Sequence, residues 1–299
     1  MLTVFGELKH LVKYKKCLIN NSTFKLHYQF TFTILCVFSL IQTLKQHLGD
    51  PIICTPTYHG TFPQELVDSY CWIHGTFIVP CGENSQDCLD GSGRKGIGAG
   101  GASSNSESQY WYQWVIFVLF LQALCCYLPH YLWKVWEGKK ISLLVQGLDS
   151  PTLETRKEKT EEKREVIVNY FFKNNKTHNL YVSKFVFCEF LNLVNIIGQM
   201  YFMDRFFNGA FLNYGFNILA SHSGEELERE IAQVFPKTAK CNIDTYGASG
   251  SIQTHDSFCV LPLNNFNGKF YFFLWFWYLV VLTWTSIFLC FRIITIASR

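Results

Sequence analysis

One uncharged, apolar run constrains this chain more than any other feature. From Tyr110 to Trp133 the sequence contains no Lys, Arg, Asp or Glu. A helix needs roughly 20 mostly apolar residues to cross the hydrocarbon core of a bilayer, and this run is long enough. Tyr and Trp crowd both of its ends, as they do at the headgroup level of membranes, and Lys134 follows directly. The run therefore predicts a transmembrane helix, which Pro129 should bend near its end.

Three further stretches extend this prediction to an all-α membrane protein with four transmembrane helices. Hydrophobic residues make up 49% of the chain while the mean hydropathy is only +0.10, so the apolar residues must be concentrated in segments. The predicted order is an N-terminal segment (1–27), a first span (28–45), a first external loop (46–109), a second span (110–134), a cytoplasmic loop (135–184), a third span (185–206), a second external loop (207–269), a fourth span (270–291) and a short tail (292–299).

The distribution of Lys and Arg predicts the orientation of the spans. The loop between the second and third spans is rich in both residues, whereas the first external loop has little beyond Arg94 and Lys95. Because basic loops stay on the cytoplasmic side, both termini and the middle loop should be cytoplasmic. No secretory signal precedes the first span, which we expect to act as its own insertion signal. The charged run 156–165 predicts a solvated helix whose apolar end, 166–172, packs on another surface.

The cysteines divide between the spans and the external loops. Five lie in spans, where thiols usually serve as small apolar residues, and Cys17 lies in the N-terminal segment. The other six lie in the two external loops: Cys54, Cys71, Cys81, Cys88, Cys241 and Cys259. That side of the membrane is oxidising, so disulfides are favoured, although six cysteines allow fifteen connectivities. A zinc site is disfavoured because His59, His74 and His255 do not follow metal-binding spacing.

Polar residues in the third span allow two interpretations. Glu189, Asn192, Asn195 and Gln199 recur at helical spacing and share one face. They either bond to neighbouring helices, which we favour, or face a watery cavity. The sequence contains no nucleotide-binding loop, catalytic triad or metal motif, so we expect no enzyme activity, no cofactor, no metal and no nucleic-acid partner.

The first thirteen residues predict a short amphipathic helix. Met1, Phe5, Leu8 and Val12 fall on one helical face, and Lys9 and Lys13 lie elsewhere. Such a helix either lies at the membrane interface or folds into a cavity. Between the first two spans, the Gly- and Ser-rich stretch 91–108 predicts a flexible external loop.

A short motif at the start of the second span reads Trp111, Tyr112, Gln113, Trp114 and Val115. It resembles Tyr-Tyr-Gln-Trp-Val, the hallmark at this position of the innexins, the gap-junction proteins of invertebrates. Other family-like blocks cover nearly the whole chain, including 26–28, 49–52, 198–202, 234–237 and 259–262. Connexins, with three cysteines in each external loop at other spacings, are less similar.

The resemblance implies a large-pore channel at plasma-membrane junctions. Subunits would form a ring, as an octamer of one chain or together with other innexins, surrounded by membrane lipid. Two hemichannels would dock through their external loops. The N-terminal helix, with Met1, Phe5, Lys9 and Lys13, would line the cytoplasmic mouth, and the segment containing Thr61 and Phe62 would form the outer constriction.

The resemblance also implies a disulfide pattern and a subgroup. It pairs Cys54 with Cys259 and Cys71 with Cys241, and leaves Cys81 and Cys88 to pair locally. The short tail is similar to that of short-tailed insect or virus-encoded members. The alternative from another class is a four-span scaffold of tetraspanin type, suggested by Cys125 and Cys126 but weakened because they lie within a span and no Gly follows.

Overall fold

The computed structural model describes residues 20–56, 63–78, 107–141, 157–173 and 179–298. Their contacts divide the chain into two compact units. The first unit comprises described residues within 1–30, 127–193 and 285–299, and the second comprises those within 31–126 and 194–284. Four long helices contribute residues to both units.

Eight helices lie in the described part of the chain. Four are long and apolar enough to cross a membrane, which confirms the prediction of four spans. These are α1 (Ser22–Leu48), α3 (Val115–Glu137), α5 (Asn179–Phe206) and α8 (Pro262–Ala297). The others are α2 (Gln64–His74), α4 (Lys157–Lys173), α6 (Phe211–Ala220) and α7 (Gly224–Val234).

The long helices differ in their bounds from the apolar stretches that predicted them. Helix α1 begins six residues before the predicted first span and is π-helical from Leu26 to Thr31. Helices α5 and α8 also begin well before the predicted spans. The extra turns contain polar residues, so apolar composition did not reveal them. A helix can continue beyond the hydrocarbon core wherever its backbone hydrogen bonds still form. Helix α3 continues through Pro129 to Glu137.

The external loops contain a five-stranded antiparallel sheet that the sequence analysis did not predict. The order of its strands is β1 (Ile53–Pro56), β5 (Ile252–Val260), β4 (Thr238–Tyr246), β2 (Thr76–Ile78) and β3 (Glu107–Gln109). Strands β1, β2 and β3 come from the first external loop, and β4 and β5 form a hairpin in the second. Strand β3 includes the last two residues of the stretch predicted to be a flexible loop.

A compact apolar core underlies this sheet in the second unit. Strand β4 alternates buried and partly exposed residues, as expected for a strand with one face on a core. The buried cluster also takes residues from helix α2 and from the 3₁₀ turn before helix α3. Its members are Ile52, Cys54, Val67, Cys71, Ile78, Tyr112, Ala239, Cys241, Ile243, Cys259 and Leu261.

The first unit has its own smaller core. Phe24, Trp133 and Cys188 are buried together, and Phe185 packs against them. Helix α4 forms as the charge pattern predicts. The expectation that its apolar end packs on another surface is wrong within one subunit, because Val166 and Phe172 are exposed. Neighbouring charged residues give this helix enough propensity to form without such packing.

Candidate functional site

Two disulfides join the external loops within the sheet. Cys54 on β1 bonds to Cys259 on β5, and these residues lie directly opposite each other in the strand register. Cys71 on helix α2 bonds to Cys241 on β4. These are the two pairs that the family resemblance implies. Each bridge connects the first external loop to the second, so the loops form one covalently closed structure.

The same cysteines form the one cluster of potential metal ligands among the described residues. The sulfur atoms of Cys54, Cys71 and Cys259 all lie within 4.8 Å of one another. Zinc binds thiolates, and each of these sulfurs is already in a disulfide. The cluster is therefore a pair of adjacent disulfides.

Side-chain hydrogen bonds fix helix α2 against strand β1. The Asp68 carboxylate accepts a hydrogen bond from the backbone N–H of Cys54 at 2.6 Å. The Gln64 amide donates to the carbonyl of the same residue. Both contacts satisfy backbone groups of an edge strand that would otherwise lack partners. Helix α2 is thus held on the sheet by these bonds as well as by the Cys71–Cys241 disulfide.

The family-like motif at residues 111–115 lies between the external core and helix α3. Residues Trp111–Gln113 form a 3₁₀ turn. Tyr112 is buried with its ring 5.0 Å from that of Trp72, and the Gln113 amide donates to the Trp72 carbonyl. Val115 is buried at the start of the helix, whereas Trp114 is exposed. The motif therefore fixes the start of the second span to the end of helix α2.

A second aromatic cluster continues from this motif within the second unit. Trp111 makes edge-on contacts with Phe207 and Phe235, at centroid distances of 5.1 and 5.5 Å. The Phe235 ring stacks on Tyr271 of helix α8. Tyr214 donates a hydrogen bond to the carbonyl of Gly268 at 3.1 Å, and burial raises the pKa of its hydroxyl above the ordinary value. The start of the second span is thereby packed against the second external loop and the fourth span.

The polar stripe on helix α5 is mostly buried and makes contacts with other helices. Gln199 donates to the backbone carbonyl of Gln122 on helix α3 at 3.3 Å, and Asn195 contacts the sulfur of Cys126 at 3.6 Å. Asn192 is also buried. These positions fit the interpretation that the polar residues join helices, which was favoured over a watery cavity.

Glu189, at the other end of the stripe, belongs to a buried ion pair in the first unit. Its side chain is 3% exposed and pairs with Arg292 of helix α8, which donates from Nε and Nη2 at 3.3 and 3.2 Å. The Asn21 amide donates to Glu189 Oε1 at 2.8 Å. The guanidinium of Arg292 also lies 5.2 Å from the centre of the Phe185 ring. One carboxylate thus binds a residue that directly precedes helix α1 and a residue in the last two turns of helix α8.

Several predicted site residues lie outside the described part of the chain, namely Met1, Phe5, Lys9, Lys13, Thr61, Phe62, Cys81 and Cys88. Sequence reasoning placed Glu189 on the polar face of the third span but missed its pairing with Arg292, which directly follows the fourth predicted span. It also missed Asn21. A charged residue inside a membrane needs a partner of opposite charge, and this requirement could have predicted that Glu189 pairs with Arg292.

The fold defines a class of membrane protein before any relative is considered. Four membrane-length helices carry two external loops that share one sheet and two disulfides. The innexin family profile matches residues 20–299. The chain therefore belongs to the innexin family, whose members form gap-junction channels at the plasma membrane.

Individual relatives support this membership over the full length. The chain is 43% identical to innexin inx2 of Drosophila melanogaster, over 100% of this chain and 80% of that protein. It is also 43% identical to innexin inx2 of Schistocerca americana, over 99% and 81%. Identity to innexin shaking-B of Drosophila melanogaster is 36%, over 100% and 80%. Neither the fold nor these relatives support the tetraspanin alternative.

Proposed function

We propose that this chain is the subunit of a large-pore channel that passes ions and small metabolites by diffusion, both as a hemichannel and as a docked intercellular junction. Membership of the innexin family is the observation that carries the proposal. The joined external loops fit it physically. Short loop segments bury too little apolar area to offset their ordering entropy, so a rigid external surface needs covalent ties between the loops.

The pore would lie between subunits arranged in a ring, which we propose to be an octamer, of one chain or mixed with other innexins. Support comes from the burial pattern of the long helices. Polar side chains such as Gln42, Gln122 and Asn192 are buried inside the subunit, and Gln42 donates to Asn267. Many large apolar side chains on the same helices are exposed, as expected for surfaces that face lipid and neighbouring subunits. A wide aqueous path is therefore better placed between subunits than within one.

The N-terminal helix would sit in the cytoplasmic mouth of this pore. Lys9 and Lys13 would then stand near the permeation path and favour anions, while Met1 and Phe5 face the wall. Thr61 and Phe62 would form the outer constriction. Replacing both lysines by Glu should shift the reversal potential in a salt gradient toward cation preference. An unchanged reversal potential, with normal surface expression, would place this helix away from the pore.

Docking between cells would use the end of the β4–β5 hairpin. Tyr246 and Ile252 face each other in the register and are 82% and 69% exposed. Two large apolar side chains at the tip of a rigid hairpin are suited to an interface with another protein.

Docking can be tested separately from the channel activity of single hemichannels. Replacing Tyr246 and Ile252 by Ser should abolish conductance between paired cells and leave dye uptake by single cells intact. Val166→Ser in helix α4, an exposed apolar residue of the cytoplasmic loop, is the matched control and should leave both unchanged. Loss of dye uptake in the hairpin variant would show that the hairpin supports the fold and not docking.

A further inference from the structure

We propose that helix α6 lies in the outer leaflet of the bilayer and binds lipid acyl chains through an exposed apolar stripe, although it belongs to a segment predicted to be an external loop. The stripe consists of Leu212, Phe216 and Leu219, which recur at helical spacing. Its partner is the apolar chemistry of phospholipid tails. The inference does not depend on the passage of ions.

Helix α6 has three faces of different chemistry. The buried face consists of Phe211, Tyr214, Gly215 and Ile218. A second face carries Asn213 and Asn217, and the Asn217 amide donates to the Glu230 carboxylate on helix α7 at 3.2 Å. The third face is the stripe, where Phe216 and Leu219 are each 61% exposed. A helix that lies in a membrane interface has this division, with one exposed face for acyl chains and another for water.

Contacts with helix α8 place α6 at membrane depth. The uncharged run of the fourth span begins after Lys269, and Trp275 lies six residues further, about 9 Å along the helix axis. The Trp275 indole fits against the backbone of Gly215, where a Cβ would lie 2.0 Å from the ring, and the Phe216 ring meets the same indole edge-on at 5.2 Å. Interfacial helices insert their apolar faces by about 5–10 Å, which matches the depth of this contact.

The chain turns directly from the third span into helix α6. Asn208 and Gly209 have φ angles of 53° and 82°, and this left-handed backbone reverses the chain direction just after helix α5. The Asp204 carboxylate accepts a hydrogen bond from the backbone N–H of Leu212 at 3.0 Å, which ties the first turn of α6 to the last turn of α5. No Lys, Arg, Asp or Glu occurs in residues 206–224. So tight a turn gives α6 no length of chain with which to rise away from the membrane.

The residues just before this turn mark the headgroup level. Arg205 Nε donates to the Tyr201 hydroxyl at 3.0 Å, and the guanidinium lies 5.4 Å from the centre of the Tyr201 ring. Both side chains are exposed. Tyr and Arg at the end of a span keep their polar tips among the headgroups and their apolar parts toward the tails. Helix α6 begins at this level, so its stripe continues the lipid-facing surface of the spans.

Photo-crosslinking identifies what covers the stripe. The full-length chain carries p-benzoyl-phenylalanine at one position at a time, is reconstituted into phosphatidylcholine vesicles and is irradiated. Phe216→p-benzoyl-phenylalanine and Leu219→p-benzoyl-phenylalanine should each gain the mass of one phosphatidylcholine. The matched controls are the same substitution at Asn213, on the polar face of the same helix, and at Tyr246, which is exposed at the end of the β4–β5 hairpin. Neither control should gain lipid.

Three outcomes would overturn the inference. Crosslinked dimers from the Phe216 and Leu219 variants, in place of lipid adducts, would show that a neighbouring subunit covers the stripe. No product at either position, in protein whose two disulfides between the loops have formed, would show that water covers it. Lipid adducts at Asn213 or Tyr246 equal to those at Phe216 would refute the separation of the faces. The proposed channel function is tested independently, because dye uptake is measured on the unmodified chain.

Discussion

Replacing Cys241 by serine should damage the external loops more than replacing Cys71, although both changes remove the same disulfide. The reason is the position of the thiol left behind. In Cys241→Ser the free Cys71 sulfur lies within 4.8 Å of both sulfurs of the Cys54–Cys259 disulfide. In Cys71→Ser the remaining thiol is Cys241, which is not part of that group.

Both variants lose the Cys71–Cys241 disulfide, and the loop lengths in the structure give the stability that this loss costs. The two disulfides span 205 and 170 residues and are nested, so with the outer one formed the inner one closes a loop of only about 35 residues. In the chain-entropy treatment, the outer bridge contributes about 5 kcal/mol and the inner one about 4 kcal/mol more. Both substitutions should therefore lower the free energy of unfolding by about 4 kcal/mol.

The difference between the variants comes from thiol–disulfide exchange. The Cys71 thiolate can attack the sulfur of Cys54 or Cys259, forming a new disulfide and releasing the other cysteine as a thiolate. No external oxidant is consumed, because one disulfide replaces another. A Cys54–Cys71 bond would lie within the first loop and leave the two loops without their covalent tie. Cys241→Ser should therefore yield a mixture of bridges.

Non-reducing peptide mapping measures this outcome directly. Cys241→Ser should show Cys71 linked to Cys54 or Cys259, whereas Cys71→Ser should show only Cys54 linked to Cys259. The double variant Cys71→Ser/Cys241→Ser is the control and should map like Cys71→Ser. A single native bridge in Cys241→Ser, or equal scrambling in Cys71→Ser, would refute the reasoning.

Three further predictions follow from packing, burial and orientation. Gly215→Ala should lower stability by about 1–3 kcal/mol in thermal unfolding, because a Cβ would lie 2.0 Å from the Trp275 ring, whereas Gly198→Ala meets nothing within 4 Å and should be neutral or stabilising. Burial raises the pKa of the Tyr214 hydroxyl. The stability that the buried neutral hydroxyl contributes is therefore fully present below its ordinary pKa of about 10 and is lost as the pH rises above that value. Tyr214→Phe should reduce the loss of folding stability that is measured when the protein is titrated to alkaline pH. A protease site inserted within 91–106 should be cut from outside intact cells, and one after the last residue should not.

The spans were predictable because a single physical requirement governs them. Crossing hydrocarbon demands length and apolar composition within one continuous stretch, and Tyr110 to Trp133 satisfies both without reference to the rest of the chain. The helix ends were less predictable, since α5 and α8 continue into polar sequence, where backbone hydrogen bonding alone determines how far the helix extends. The predicted lengths were therefore too short at the N-terminal end of α5 and at both ends of α8.

The external sheet was not predictable from local sequence. Strands β1, β2 and β3 have four, three and three residues, too few for an alternating pattern to emerge. Strands β1 and β2 pair with strands from the other loop, and β3 pairs with β2 about thirty residues earlier in its own loop, so all the partners are distant in the chain. Strand β4 is longer and its residues alternate between buried and exposed, so together with the Gly-containing turn at 247–250 it carries a recognisable hairpin signal.

The buried ion pair was also not predictable from local sequence, because its two residues are distant in the chain. Glu189 and Arg292 are 103 residues apart in sequence and belong to different helices. Charge compensation predicts that Glu189 has a partner, but the choice among basic residues depends on how the helices pack. Asn21 carried even less signal, because an Asn before a helix is explained by capping alone.

Dual recording from pairs of cells that express only this chain measures the proposed channel function itself. We expect a junctional conductance between the cells, abolished by reduction of the external disulfides or by Cys54→Ser, and retained in Cys81→Ser/Cys88→Ser. Uptake of a small dye by single cells should report the undocked hemichannel in the same preparation. Protein that reaches the surface with both bridges formed, yet gives neither conductance nor dye uptake, would show that the chain does not form a channel.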